Sequence, residues 1–379
     1  MEKQLSDKKI LAVGLMSGTS LDGVDASLLL TDGIGAEPYG HPVHIPYNRE
    51  IQNLLLEGLA TARLHNKPAQ DDAKINRLAE ILTEHHILAV KDLLSNNGLK
   101  KKEIEVVGFH GQTLLHRPAE GWTWQIGDGQ MMADSLQVPV VSDFRSMDVA
   151  AGGQGAPLVP IYHLALISAR PGDADLAIIN IGGVSNVTWI PGNRSQDELH
   201  SCDAGPGNAL LNDWIRNHTG EDCDQDGCHA RQGKIHDDLL GAWMDHEYFR
   251  QPPPKSLDRN SFTVPGLEKL SLEDGAATLT AFTAQSIAAT MNLFPRPPES
   301  CFVCGGGRHN PVLMEQLESR TSALISPVES IGWHGDFIEA EAFAYLAVRR
   351  LKNLPITFPG TTGVNRPMPG GVVHLPTDR

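Results

Sequence analysis

No cluster of five or more basic residues occurs in this sequence, and Lys and Arg number 31 against 46 Asp and Glu, a formal net charge of −15. Nucleic acid and anionic membrane both require a positive surface, so neither is expected as a partner. An anionic ligand has to be met by helix N-termini, backbone amides or a metal ion. Long apolar runs are missing too. Outside the N-terminus the longest, Leu158 to Ala169, contains Tyr162 and His163 and falls short of the roughly 20 residues that a membrane span needs. The opening MEKQLSDKKILAVGLM carries charges of both signs and no A-x-A-like site, so no signal peptide is expected. Cysteine is scarce: the odd five, Cys202, Cys223, Cys228, Cys301 and Cys304, are scattered without a disulfide framework, which suits reduced thiols in a cytoplasm. Neither G-x-x-x-x-G-K-[ST] nor a strand-linked G-x-G-x-x-G is present, which argues against a P-loop or a dinucleotide fold.

What is present suits two domains. The chain has 379 residues, 41% of them hydrophobic, enough for two cores. Residues 9–31 read as strand, turn, strand (KILAVGLM, SGTSLDG, VDASLLLTD), with YGHPVHIPY (39–47) as a third strand. Helices are expected over 48–63 and 71–97, the second from Ile75, Leu78, Ile81, Leu82 and Leu88 at helical spacing, then a strand over 104–111. DLAIINIGGVSNVTWIP (175–191) repeats the opening pattern, an apolar strand running through a glycine turn into another strand. Two glycine hairpins, each beginning a half of roughly 150–190 residues, point to an internal duplication. In the second half the pattern predicts a helix over 206–217 with Pro206 near its start and a buried, alanine-rich helix over 275–293. A strand and glycine turn over 301–310 lead into the helix VLMEQLESR, and another helix covers 338–351. The 251–266 stretch with its triple proline reads as an insertion, and the tail from Pro355 as irregular.

A hairpin can cradle phosphate when its glycines let backbone N–H groups approach, with Ser or Thr hydroxyls beside them and an Asp to hold Mg²⁺ through water. GLMSGTSLDGVD (14–25) and GGVSN (182–186) have these parts. The bland reading is that Gly18, Gly23, Gly182 and Gly183 only turn hairpins. With a third polar glycine turn at GGGRHN, three such turns at the ends of apolar strands suggest one nucleotide cleft between two domains. In CDAGPGN (202–208), Asp203 stands close before a helix and is flanked by glycines. It is either an N-cap or Asx-turn residue, or a general base toward a hydroxyl or water, and the dense glycines favour the base.

DCDQDGCH (222–229) matches positions one, three, five and six of a Ca²⁺ loop at Asp222, Asp224, Asp226 and Gly227, but position twelve is Gly233 instead of Glu, so Ca²⁺ is not expected. Cys223, Cys228 and His229 lack a second ligand pair, as does Cys301-x-x-Cys304, and both groups read as ordinary thiols. FHGQTLLH puts His110, Gln112 and Thr113 at a strand end, where ligand-binding side chains gather in α/β sheets, although a lone His there is equally a structural residue. Asp143, Arg145 and Asp148 lie in the glycine-rich DFRSMDVAAGGQGAP between the halves, a combination that suits a sugar acid; a surface ion pair would not explain the glycines.

GLMSGTSLDGVD, FHGQTLLHRP, QIGDG, VVSDFRSMDVAAGGQGAPLVP, NIGGVSN, DAGPGN, DQDG, GGGRHN, IEAEAFAYLA and LPITFPGTTG, in this order, resemble the anhydro-N-acetylmuramic acid kinase family of the sugar-kinase, actin and heat-shock-chaperone ATPase superfamily, over about residues 10 to 365. No motif departs from the family pattern, and only the 251–266 stretch and the N-terminal extension are free to vary. The resemblance implies a duplicated actin/hexokinase-like, ribonuclease H-like α/β fold with ATP in the cleft, one lobe spanning 1–145 plus 340–379 and the other 146–339. It places the ATP loop on Gly18, Thr19, Ser20, Leu21, Asp22, Gly23, Val24 and Asp25, the second phosphate loop on Gly182, Gly183 and Ser185, and the adenosine-side turn on Gly305, Gly306 and Gly307. Asp203 matches the catalytic aspartate. His110, Gln112, Asp143, Arg145, Asp148 and Glu339 become sugar contacts, the last on a helix that closes the cleft. Asp22 is the acid expected to face Mg²⁺ through water, and the role of Asp25 is left open.

The implied reaction opens the 1,6-anhydro ring of anhydro-N-acetylmuramic acid and phosphorylates O6, giving N-acetylmuramic acid 6-phosphate and ADP. It serves cell-wall recycling in the bacterial cytoplasm, with the amino sugar as small-molecule partner and a homodimer left open. Two rivals remain at this point: a kinase of the same superfamily acting on another sugar, and an actin-like nucleotide-dependent scaffold.

Overall fold

The computed structural model describes residues 8–377 apart from Thr19, Gln70, Pro171 and 258–260. Two compact units form, one of Met1–Pro171 with Phe337–Arg379, the other of Gly172–Asp336. The first contains β1 (Ile10–Ser17), β2 (Gly23–Thr31), β3 (Ala36–Pro46), β4 (Val106–Arg117), β5 (Trp122–Ile126), β6 (Val140–Ser142) and, from the C-terminal tail, β12 (Val372–His374). The second contains β7 (Leu176–Ile181), β8 (Val184–Ile190), β9 (His200–Pro206), β10 (Ser300–Cys304) and β11 (Leu324–Pro327).

The first sheet runs β12-β6-β4-β1-β2-β3, with β5 attached to β4; the second runs β11-β10-β7-β8-β9. In the first, β1–β2 and β2–β3 are antiparallel while β1–β4 and β4–β6 are parallel. The second repeats this, with β7–β8 and β8–β9 antiparallel and β7–β10 and β10–β11 parallel. Each sheet is thus a three-stranded meander extended by two parallel strands on the far side of its first strand. That shared order and direction is the duplication expected from the two glycine hairpins, and the ribonuclease H-like α/β architecture that the family resemblance implies. The antiparallel pairs close through short turns, whereas the parallel joins need crossovers with room for helices. Arg49–Ala62 and Ala73–Asn96 fill one such crossover, and Ala209–Thr219, Asp237–Met244 and Leu272–Met291 fill its counterpart.

A helix over Ile338–Leu351 covers the first sheet. Its alanines are needed there, because a Cβ on Gly14 would overlap Ala340 O and one on Gly108 would overlap Phe343 O. Helix and strands therefore approach backbone to backbone. The units divide at 171/172 and 336/337, where the sequence placed the boundaries at 145/146 and 339/340. Among the contacts that tie 146–171 to the rest of its unit, Tyr162 Oη donates to Glu341 Oε2 at 2.7 Å, and Thr362 Oγ1 donates to Asp148 Oδ2 at 2.6 Å.

In the second unit, Leu272–Met291 packs so closely that a Cβ on Gly205 would overlap Ser286 Oγ. Beside it lies a cluster of Trp243, Tyr248, Phe249, Phe262 and Phe282, with Phe249 and Phe262 stacked at 5.2 Å. Phe262 belongs to the supposed insertion, so that stretch is anchored in the core. Other expectations shift as well. Pro206 ends β9 and the following helix begins at Ala209, since proline closes the strand without starting the helix. Leu88 points outward at 46% exposure. The strand expected over 104–111 continues to Arg117, so His110 and Gln112 sit within it and not at its end.

Candidate functional site

In the first unit the β1–β2 turn is closed by Leu21 N donating to Gly18 O at 3.3 Å, with Leu21 in the left-handed region at φ 56°. Thr19 lies outside the described residues. Ser20 Oγ donates to Asp22 Oδ1 at 2.6 Å on the exposed side. Beneath, Ser17 Oγ donates to Gln112 Oε1 at 2.7 Å and Gln112 Nε2 to Gly18 O at 3.1 Å, so the amide on β4 clamps the hairpin from the neighbouring strand. Tyr47 N donates to Asp22 O at 2.8 Å. The buried Tyr47 phenol is pushed up to about 12, by burial first and then by the charges of Asp22 and Asp25. Asp25 shares a 2.7 Å hydrogen bond with His44 Nδ1 across the β2–β3 pair, while Val24 is buried. A side chain on Gly23 would overlap Ile45 O. Asp22 is thus the acid presented outward, and Asp25 is occupied by the sheet.

In the second unit three glycine elements converge. Asn208 N donates to Gly182 O at 2.8 Å, and Gly207 N and Ala209 N donate to Gly183 O at 3.0 and 3.2 Å. The turn Gly305–Gly307 lies against the same hairpin. Gly305 has φ 74° and no room for a Cβ beside Asn180 Oδ1, Gly307 is closed in by Ile181, and the Gly306 Cβ position lies 3.8 Å from Asn208 Nδ2. Arg308 holds this turn: it donates to Gly305 O at 2.9 Å, to both Asp336 oxygens at 2.7 and 2.8 Å and to Glu329 at 2.9 Å. The buried Ser185 hydroxyl donates to Gly205 O at 3.1 Å, tying the hairpin to β9.

Asp203 lies on β9 itself. The register passes from Ser185↔Gly205 to Asn186↔Asp203, leaving Ala204 unmatched, a β-bulge of the kind that re-aims side chains beside active sites. The N-cap reading is excluded, because the helix starts only at Ala209. Around the aspartate, Asp203 N donates to Lys255 O at 3.0 Å, Tyr248 Oη donates to Asp203 O at 2.7 Å, and Leu257 N donates to Asp203 Oδ2 at 2.7 Å. Sequence reasoning missed Tyr248, Lys255 and Leu257. The one signal available was a lysine set directly after three prolines.

The residues expected at the sugar occupy the first unit. Arg145 donates to His110 Nε2 through Nε at 3.1 Å and Nη2 at 3.0 Å, and through Nη1 to Gly155 O at 2.7 Å. Burial, then the Arg145 charge, hold His110 well below the usual histidine range. The ring is therefore neutral, and the network assigns its proton to Nδ1, 2.7 Å from Gly111 O. Asp148 accepts from Gly155 N at 2.6 Å as well as from Thr362. Asp143, at φ 52°, accepts from Ser146 N at 3.3 Å. Arg145 and Asp148 together shape the loop around Gly155. Glu339 is half-buried in the first turn of Ile338–Leu351, and Glu341 lies fully inside.

One grouping exceeds the sequence reading: Asp224, Cys228 and His229 bring one possible ligand atom each within 4.8 Å of one another. The Asp224 carboxylate already accepts from His229 N at 2.8 Å and Ala230 N at 3.0 Å, holding the turn into the next helix.

The sequence matches the family model for anhydro-N-acetylmuramic acid kinase over residues 10–376. It is 48% identical over 371 residues to the anhydro-N-acetylmuramic acid kinase of Rhizorhabdus wittichii, covering 97% of this chain and 100% of that protein. Identity to the protein of that name from Zymomonas mobilis is 48% over 370 residues, covering 96% and 100%. Among solved structures, the activator of the 2-hydroxyisocaproyl-CoA dehydratase from Clostridium difficile is similar at a TM-score of 0.45 and 11% identity, covering 91% of this chain and 96% of that one. No helix among the described residues is long and apolar enough to cross a membrane.

Proposed function

The chain belongs to the anhydro-N-acetylmuramic acid kinase family, and from that premise we propose that it uses ATP to open 1,6-anhydro-N-acetylmuramic acid and phosphorylate O6 in a single turnover, with Asp203 as the base. The products are N-acetylmuramic acid 6-phosphate and ADP, and the role is recycling of cell-wall sugar. The observation that carries the assignment of the base is the placement of Asp203 at the β9 bulge, opposite the strand leaving the second glycine hairpin, with one carboxylate oxygen fixed by Leu257 N–H.

On this reading Asp203 takes a proton from water as the water oxygen bonds to C1. The C1–O6 bond breaks, O6 bonds to the γ-phosphorus of ATP, and the bridging oxygen leaves with ADP. Phosphoryl transfer asks mainly for positioning and charge neutralisation, so backbone amides of Gly18–Asp25 and Gly182–Ser185 serve where other kinases use a P-loop lysine. Asp22 with Ser20 offers hard oxygen donors on an exposed turn, a donor set that fits Mg²⁺ held through water. When bound there, the ion supplies positive charge to the phosphates. The turn Gly305–Gly307 is assigned to the adenosine side, and His110, Gln112, Asp143, Arg145, Asp148 and Glu339 to the sugar, where Arg145 offers the planar charge that suits the lactyl carboxylate.

Asp203→Asn tests the assignment. It is expected to retain ATP binding, measured by calorimetry, and to lose roughly 10²–10⁴ in turnover, the usual range for a general base. Turnover at the parent rate contradicts it.

A further inference from the structure

The 251–257 segment stands outside every motif by which the family is recognised in this sequence, yet it is wrapped around Asp203. Asp203 N donates to Lys255 O, and two residues further on Leu257 N returns a hydrogen bond to Asp203 Oδ2. Tyr248, in the short helix Glu247–Arg250 just before the segment, donates its hydroxyl to Asp203 O. Lys255 Nζ closes the circuit by donating to Tyr248 O at 2.8 Å, 4.3 Å from the centre of the Tyr248 ring.

A lysine only 7% exposed needs compensation, because desolvating an ammonium is expensive unless a negative group stands near. The groups whose charge acts on it are Cys202 and Asp203. Burial pushes the Cys202 thiol up to about 12, so it stays neutral at ordinary pH. Tyr248, raised by burial and by Asp203, is neutral as well. Asp203 is left as the counter-charge.

We propose that residues 251–257 form a strap that orients the Asp203 carboxylate through Leu257 N–H, and that Lys255 is a positioning residue that anchors the strap and sets a positive charge beside the carboxylate. The inference rests on Asp203 being the base. It assigns to this segment a part in the reaction: Lys255 acts through Tyr248, through its own backbone and through its charge.

The experiment compares Lys255→Met, Lys255→Arg and Asp203→Asn in the full chain, measuring kcat, KM for sugar and for ATP, and the pH dependence of kcat. Lys255→Met is expected to lower kcat by about 10–100-fold, as loss of a supporting group commonly does, with KM changed less than about 3-fold. The acidic limb of its pH profile moves to higher pH, because a carboxylate without its neighbouring cation holds its proton longer. Lys255→Arg recovers much of the rate. A folded Lys255→Met protein with parental kcat and an unmoved acidic limb overturns the strap. If Lys255→Met does not fold, Tyr248→Phe carries the test: a lower kcat at unchanged KM supports the strap, and parental kcat overturns it. Failure of the underlying reading looks different, since Asp203→Asn would itself turn over at the parental rate.

Discussion

Asp203 and Glu341 are both carboxylates, and their surroundings set them to different tasks. Glu341 is buried among alanines and aromatic rings, which pushes it from 4.5 up to about 7, although the Tyr162 hydroxyl donating to it works in the opposite direction. An acid raised in the folded state keeps a proton that the unfolded chain has released. Stability therefore falls as pH rises from about 4.5 and the loss is complete just above 7. Glu341→Gln retains an acceptor for Tyr162 and has nothing to ionise. It should be more stable than the parent at pH 8 by up to on the order of 3 kcal/mol, with the advantage gone near pH 4. Urea denaturation at both pH values checks this, and an equal difference at the two would contradict it. Asp203 stands out in the sequence by its glycine flanks, whereas its hydrogen-bond partners do not. Lys255 and Leu257 reach it across more than fifty residues through one backbone carbonyl and one backbone N–H, groups that every residue possesses and that leave no trace in side-chain patterns.

At the scale of elements, the helix Ile338–Leu351 coincides with the expected 338–351 because its alanines and apolar residues recur at one period throughout. β4 was read short for an equally physical reason. Gly111 enters the left-handed region at φ 71° within the strand, Gln112 pairs with both β1 and β5, and from Thr113 onward the partner is β5, so the glycine that looked like an end is a bend. The contact between that helix and β1 and β4 gives a direct prediction. Gly108→Ala places a methyl group against Phe343 O, with no flexible side chain to yield, and should cost about 1–3 kcal/mol or more. A clear fall in Tm is the expected outcome; a Tm equal to that of the parent would show that the helix does not press on β4 as described.

At the scale of the whole molecule, the duplication was visible in two glycine hairpins, and the two sheets repeat the same strand order and directions. The stretch 251–266 reads as an insertion by composition, which carries no information on long-range contacts, and it delivers Phe262 to the aromatic core and Leu257 to Asp203. Its proline content described its backbone and said nothing of its partners. The central claim, that one turnover both hydrolyses the anhydro ring and phosphorylates O6, is met most directly by mass spectrometry of the product formed from ATP and 1,6-anhydro-N-acetylmuramic acid in heavy-oxygen water. It is read at times short against spontaneous exchange of the anomeric oxygen, with unlabelled N-acetylmuramic acid 6-phosphate as the control. The account predicts one solvent oxygen at C1 and one phosphate on O6 in the same molecule, formed together. A phosphorylated sugar without solvent oxygen, or ATP turnover that the anhydro sugar does not stimulate, would contradict it.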